Sequence, residues 1–165
     1  MTEPLLIMRH GEASHGRIDE ARELNGRGRQ EVARMAAWLS GRCDLELARL
    51  RLVASPYVRA RQTAELIAEG LADLRPQREI ETLTIITPDD APNEVIDWLL
   101  EQPDDCPLLL ISHMPLVAAL TGILVEGRAE RGPGFTTATV AELDAEVRAA
   151  GCARATRFTS PMDLA

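Results

Sequence analysis

Arg9 and His10 stand side by side in LLIMRHGEA, residues 5–13, where an apolar run meets Gly11. Two other stretches end the same way. Leu52-Val53-Ala54 runs into Ser55-Pro56, with Arg59 three residues on, and Pro107 to Ile111 runs into Ser112-His113. Arginine offers a planar fork of donors that matches the oxygens of a phosphoryl group. Histidine serves as nucleophile, acid or base near neutral pH. Two arginines and two histidines brought together would make a cradle for a phosphoryl group, with one histidine placed to attack it. Zinc fits poorly, because no cysteine or acidic partner stands at ligand spacing to either histidine.

These residues converge only if the apolar runs are neighbouring parallel strands. In an open α/β sheet, ligands bind beyond the carboxyl ends of the strands. Pro4–Met8 is apolar throughout, as suits a strand buried on both faces. Asn25 caps a helix whose buried face is Val32, Met35, Ala36 and Leu39, spaced i, i+3, i+4, i+7. Ser55 reads as a cap with Pro56 at the first helical position, ahead of a face of Ala60, Thr63, Ala64, Ile67 and Leu71. Further strands are expected at 78–83, 107–111, 136–143 and 153–159. A turn at 89–93 leads into a helix over 95–101, and Pro115 opens a helix reaching Leu124. Residues 127–134 form a charged loop, and 144–151 fit either a hairpin turn or a short helix. The pattern predicts an α/β three-layer sandwich: a mostly parallel central sheet of about six strands, with helices on both faces.

The 165 residues suit a single domain, 1–165, with one sizeable core. A net charge of −8 with 3% aromatics argues against nucleic acid as a partner. Cys43, Cys106 and Cys152 are far apart and form no C-x-x-C, which suits a reducing compartment. The amino terminus carries no charged-then-apolar leader, and no apolar run reaches the length of a membrane span. A cytoplasmic protein with no membrane contact is expected, and a monomer, since no heptad or apolar stripe stands out.

The motifs together resemble the histidine phosphatase superfamily, with its phosphoglycerate-mutase-like fold. They are Arg9-His10-Gly11 after a strand, Leu24-Asn25-x-x-Gly28, Ser55-Pro56-Tyr57-x-Arg59-Ala60-x-Gln62-Thr63-Ala64, and Ser112-His113. Within it, the short chain, Arg22-x-Leu24-Asn25, Ile111-Ser112-His113-x-Pro115-Leu116-Val117 and Phe135-Thr136-Thr137 resemble the SixA-type phosphohistidine phosphatases. The resemblance implies that His10 attacks phosphorus and that its other ring nitrogen donates to a backbone carbonyl, that of Gly11. Arg9, Arg59 and His113 would bind the phosphoryl oxygens, Gly11 would line the site, and Arg22 would add a cation. No metal and no organic cofactor are implied.

The sequence departs from the family pattern twice. Relatives that cleave phosphate esters place an acid after the third strand; here Glu81 is the nearest carboxylate, and it reads equally as a solvated strand residue. Gly16 stands six residues after His10, where many relatives carry asparagine or aspartate. Asp19, Glu20 and Glu23 share that loop with Arg17 and Arg22 and read as surface pairs. An imidazole leaves phosphorus without protonation of an alkoxide, so the missing acid favours phosphohistidine on a phosphotransfer protein as substrate. A small phosphorylated metabolite, such as a sugar or nucleotide phosphate, is the alternative. A phosphohistidine-binding regulatory module without turnover is a third, from another class.

Overall fold

Residues alternate along the central strands, and each face finds its own layer of helices. The computed structural model describes residues 2–164. In chain order the elements are β1 (Leu5–Arg9), α1 (Gly26–Ser40), β2 (Arg51–Ala54), α2 (Val58–Gly70), β3 (Ile80–Thr82) and α3 (Pro92–Glu101). Then follow β4 (Leu108–Ser112), α4 (Leu116–Glu126), β5 (Val140–Ala145) and β6 (Ala153–Thr159). Leu6, Met8, Leu52, Ala54, Leu109 and Ile111 bury against Val32, Met35 and Leu39 of α1 and Ala60, Ala64 and Ile67 of α2. Leu5, Ile7, Val53, Leu108 and Leu110 bury on the other face against Val95 and Leu99 of α3 and Leu116, Val117 and Leu120 of α4. The result is helix layers on both faces of a six-stranded sheet, as the pattern predicts.

The sheet order is β3-β2-β4-β1-β5-β6. The pairs β2–β3, β2–β4 and β1–β4 are parallel, while β1–β5 and β5–β6 are antiparallel. β1 and β2 therefore flank β4. The register sets Arg9 opposite Ser112 and Ala54 opposite Ile111. Two backbone bonds extend the ladder past the strand ends: His10 N–H donates to Ser112 O at 3.0 Å, and Ser55 N–H to Ile111 O at 3.0 Å. His10, Ser55 and His113 thus leave adjacent strand ends side by side.

Several boundaries differ from expectation. The second helix starts at Val58, and its cap position, Tyr57, makes no side-chain cap bond. Ser55 instead folds a tight turn, its Oγ accepting from Tyr57 N–H at 3.2 Å. The fifth strand starts at Val140, because Phe135–Thr139 is a loop that turns over the end of β1. The third helix starts at Pro92, inside the expected turn, where a missing N–H costs nothing. Residues 146–152 form the β5–β6 hairpin loop rather than a helix. Asn25 does cap α1, its Oδ1 accepting from Gly28 N–H at 2.8 Å. Among the described residues, no helix is long and apolar enough to cross a membrane.

Gly28 lets the first turn of α1 lie on the backbone just after His10. A Cβ there would sit 2.0 Å from Glu12 O. Gly28→Ala should cost about 1–3 kcal/mol, the usual penalty of forcing a methyl into a full space. A lowered urea midpoint with an unchanged slope would show it; an unchanged midpoint would refute the close approach.

Candidate active site

His10 is 7% exposed and His113 1% exposed, at the ends of β1 and β4. Their rings meet edge to face with centroids 5.0 Å apart. His10 Nδ1 lies 2.7 Å from Gly11 O. A carbonyl only accepts, so Nδ1 carries the proton and Nε2 of the neutral ring keeps its lone pair. Arg59, in the first turn of α2 and 4% exposed, donates from Nε to that Nε2 at 3.2 Å. The lone pair of His10 thus faces a guanidinium.

Backbone and hydroxyl groups hold these side chains still. Thr63 Oγ1, one turn along α2, donates to Arg59 O at 2.8 Å and accepts from Gly11 N–H at 3.1 Å. His113 Nε2 bonds Ser55 Oγ at 2.8 Å, and its Nδ1 is buried without a partner among the described residues. Arg9 donates from Nη1 to Phe135 O at 2.8 Å, while its Nε is buried and unpartnered. The Phe135–Thr139 loop that supplies this carbonyl is closed by Ala138, whose N–H reaches Arg9 O at 3.1 Å and His10 O at 3.0 Å. Ala138 does this at φ 62°, a left-handed conformation that favours glycine.

The 12–25 segment folds back as a pinned loop. Ala13 bridges Leu24, and Gln62 Oε1 accepts from Leu24 N–H at 2.8 Å. At its tip a 3-10 turn, Asp19–Ala21, lies on α2. Asp19 binds two cations at once: Arg22 Nη1 reaches Oδ1 at 3.0 Å, and Arg59 Nη2 reaches Oδ2 at 3.3 Å. Arg59 Nη1 also donates to Asp19 O at 2.7 Å. Arg22 is steadied by Ser14 O at 2.9 Å.

The electrostatics call for an anion. Burial pushes His10 down to about 4; the Gly11 carbonyl resists, and Arg59, Arg9 and Arg22 add to the fall. Burial, then His10 and Arg59, push His113 down to about 3. Burial and the charge of Arg59 lower Arg9. The pocket thus holds two neutral imidazoles among three guanidiniums, with Asp19 as the sole carboxylate hydrogen-bonded to Arg59 among the described residues.

The sequence-derived residues Arg9, His10, Gly11, Arg22, Arg59 and His113 come together here. Glu81 does not. Arg51, at the opposite end of β2, clamps its carboxylate at 2.9 and 2.7 Å and also bonds Gln102. That ion pair holds the Glu81 carboxylate at Arg51, away from His10 and Arg59. Three further residues belong to the site: Ser55, which reads in sequence as a cap, bonds His113; Thr63 is the one hydroxyl on an otherwise apolar helix face, the signal that points to it; and Asp19 reads in sequence as one of several surface charges. No group of three or more His, Cys, Asp or Glu among the described residues could hold a metal ion.

Both histidines are neutral when folded and gain protons more readily when unfolded. The unfolded chain therefore binds more protons between the ordinary histidine range near 6.5 and about 4. Stability should fall as pH drops through that window, and His10→Ala should flatten the slope. Urea midpoints at successive pH values measure this; a slope identical in the variant would contradict the buried neutral ring.

A family model described as histidine phosphatase superfamily (branch 1) matches residues 5–84. Among solved structures, the protein histidine phosphatase SixA complexed with tungstate is 31% identical, covers 98% of this chain and 99% of its own, and superposes with a TM-score of 0.84. A chain from Agrobacterium tumefaciens assigned to the SixA phosphohistidine phosphatases is 22% identical, with 98% and 99% coverage and a TM-score of 0.76. A mycobacterial glucosyl-3-phosphoglycerate phosphatase is 19% identical, with 96% and 97% coverage and a TM-score of 0.65. The latter two likenesses concern the fold alone. No curated protein matches by sequence. Strand-end geometry, family model and full-length likeness agree: the chain belongs to the histidine phosphatase superfamily and is a phosphatase.

Proposed function

We propose that the chain removes the phosphoryl group from phosphohistidine on a phosphotransfer protein, through a covalent phospho-His10 intermediate. The observation that carries this reading is a histidine ringed by cations, with Glu81 of β3, the expected acid, drawn away by Arg51. His10 Nε2 attacks phosphorus while the Gly11 carbonyl holds the proton on Nδ1. Arg9 and Arg59 bind the equatorial oxygens and neutralise the charge of a loose transition state. His113, held by Ser55, offers its unpartnered Nδ1 to the same oxygens. When its second ring nitrogen is protonated, phosphohistidine departs as a neutral imidazole, so its loss demands no alkoxide protonation. An ester lacks that exit.

The surroundings support a macromolecular substrate. The candidate lid segments 89–93 and 127–134 are held elsewhere, the first running into α3 at Pro92. Thr87–Asp90 is tied into a turn, with Thr87 N–H donating to Asp90 Oδ2 at 2.7 Å. The 127–134 loop lies along α4, so close that a Cβ on Gly132 would fall 1.7 Å from Ala118 O. A cradle that neither segment closes over suits a side chain presented on another protein's surface.

Steady-state kinetics test this reading against the metabolite alternative. A phosphohistidine-bearing phosphotransfer domain should show a higher kcat/KM than sugar phosphates or nucleotide monophosphates. Rapid ester cleavage with phosphohistidine left intact would overturn it. Arg59→Ala should lower kcat/KM by about 3 kcal/mol of transition-state stabilisation, as for a lost oxyanion donor. Activity within twofold of wild type would contradict the assigned role. Glu81→Gln should leave all rates within twofold, because that carboxylate serves Arg51.

A further inference from the structure

A covalent cycle has a second half: water must displace His10 from phosphorus, and a group must accept the water's proton. The four residues around the phosphoryl position supply none well. Arg9 and Arg59 are cations. His10 Nε2 is bonded to phosphorus, and its Nδ1–H faces Gly11 O. His113 is buried among cations that oppose its protonation. Among the described residues, Glu12 bonds Asn25, Glu23 bonds Gln62 and Glu81 bonds Arg51, while no hydrogen bond joins Glu20 or Asp89 to Arg9, His10, Arg59 or His113.

Asp19 is different. Its Oδ2 lies 3.3 Å from Arg59 Nη2, and Arg59 Nε lies 3.2 Å from His10 Nε2. One guanidinium therefore separates the carboxylate from the nucleophilic nitrogen. The side chain is 53% exposed, so water reaches it and protons leave it. Its loop is fastened at the base by the Ala13–Leu24 bridge and by Gln62. The hydrogen bond from Arg22, opposed by burial and helped by Arg59, lowers the carboxyl from its ordinary value, so it is ionised in the resting enzyme.

We propose that Asp19 accepts the proton of the water that hydrolyses phospho-His10. This rests on the covalent mechanism proposed above. The water oxygen forms a bond to phosphorus as the Nε2–P bond breaks. The bonding pair returns to Nε2, leaving His10 neutral with its proton still on Nδ1. One water proton passes to an Asp19 oxygen, and orthophosphate forms as the dianion. Asp19 then releases its proton to solvent and regains Arg22 and Arg59 as phosphate leaves. In the first half-reaction with phosphohistidine, Asp19 has no proton to transfer. The two half-reactions should therefore respond differently to its loss.

Acid-quench kinetics with a ³²P-labelled phosphohistidine peptide separate them. Asp19→Asn should keep label transfer to the enzyme within a few-fold of wild type. Hydrolysis of the phosphoenzyme should slow by about a hundredfold, the scale of a lost general base, so that labelled protein accumulates. Glu20→Gln, on the same turn, serves as a control and should change neither step. Hydrolysis at the wild-type rate in Asp19→Asn would overturn the inference. So would transfer and hydrolysis slowing together, since Asp19 would then act only by arranging Arg59. A lower KM with unchanged kcat would also overturn it, making the carboxylate a resting occupant of the anion site. Absence of any phosphoenzyme in wild-type protein would instead overturn the covalent mechanism, and this step with it.

Discussion

The contact between Arg59 and His10 is the constraint around which the rest of the site is arranged. A guanidinium buried against an imidazole is costly unless an anion is near, because desolvation of the charge is not otherwise returned. Three consequences follow. His10 stays neutral, with its lone pair on Nε2. An anion is required at the same spot, and Asp19 answers that need in the resting molecule. The enzyme therefore binds phosphoryl groups where it is electrostatically least satisfied. Preorganised charge of this kind needs no rearrangement as the transition state forms.

Holding such a contact takes rigid support from both sides of the sheet. β4 lies between β1 and β2, so the chain's first two strand ends are brought level by a strand that comes much later in sequence. α2 then starts at Val58 and carries Arg59 and Thr63, whose hydroxyl reaches Gly11 N–H. The same helix buries Ala60, Ala64 and Ile67 against the sheet. Fixing Arg59 beside His10 and packing the core are thus done by one element, and a shift in either would be felt in the other.

Much of this was legible in the sequence because it depends on local chemistry. Apolar runs ending in Arg9-His10 and Ser112-His113 announced strand ends, and Asn25 announced the start of α1. The sheet order was not legible, since no local pattern says that β4 inserts between β1 and β2. Ser55 misled for a physical reason: Ser-Pro is a strong helix-start signal, but the hydroxyl was needed by His113, and the helix began later. Phe135–Thr139 carries β-branched residues that suggest a strand, yet tertiary bonds from Ala138 bend it over β1. Asp19 was hidden among neighbouring charges. Its meaning comes only from the fold of the loop onto α2.

The most direct test of the account is chemical identification of the bond made at the centre of the cradle. Wild-type protein and His10→Ala would be mixed with labelled phosphohistidine peptide, quenched in milliseconds, digested and mapped by mass spectrometry. The account predicts a phosphoryl group on His10 of the wild type, stable in base and lost in acid, and none in the variant. Hydrolysis by wild type with no phosphoryl group on His10, or turnover retained by His10→Ala, would contradict it.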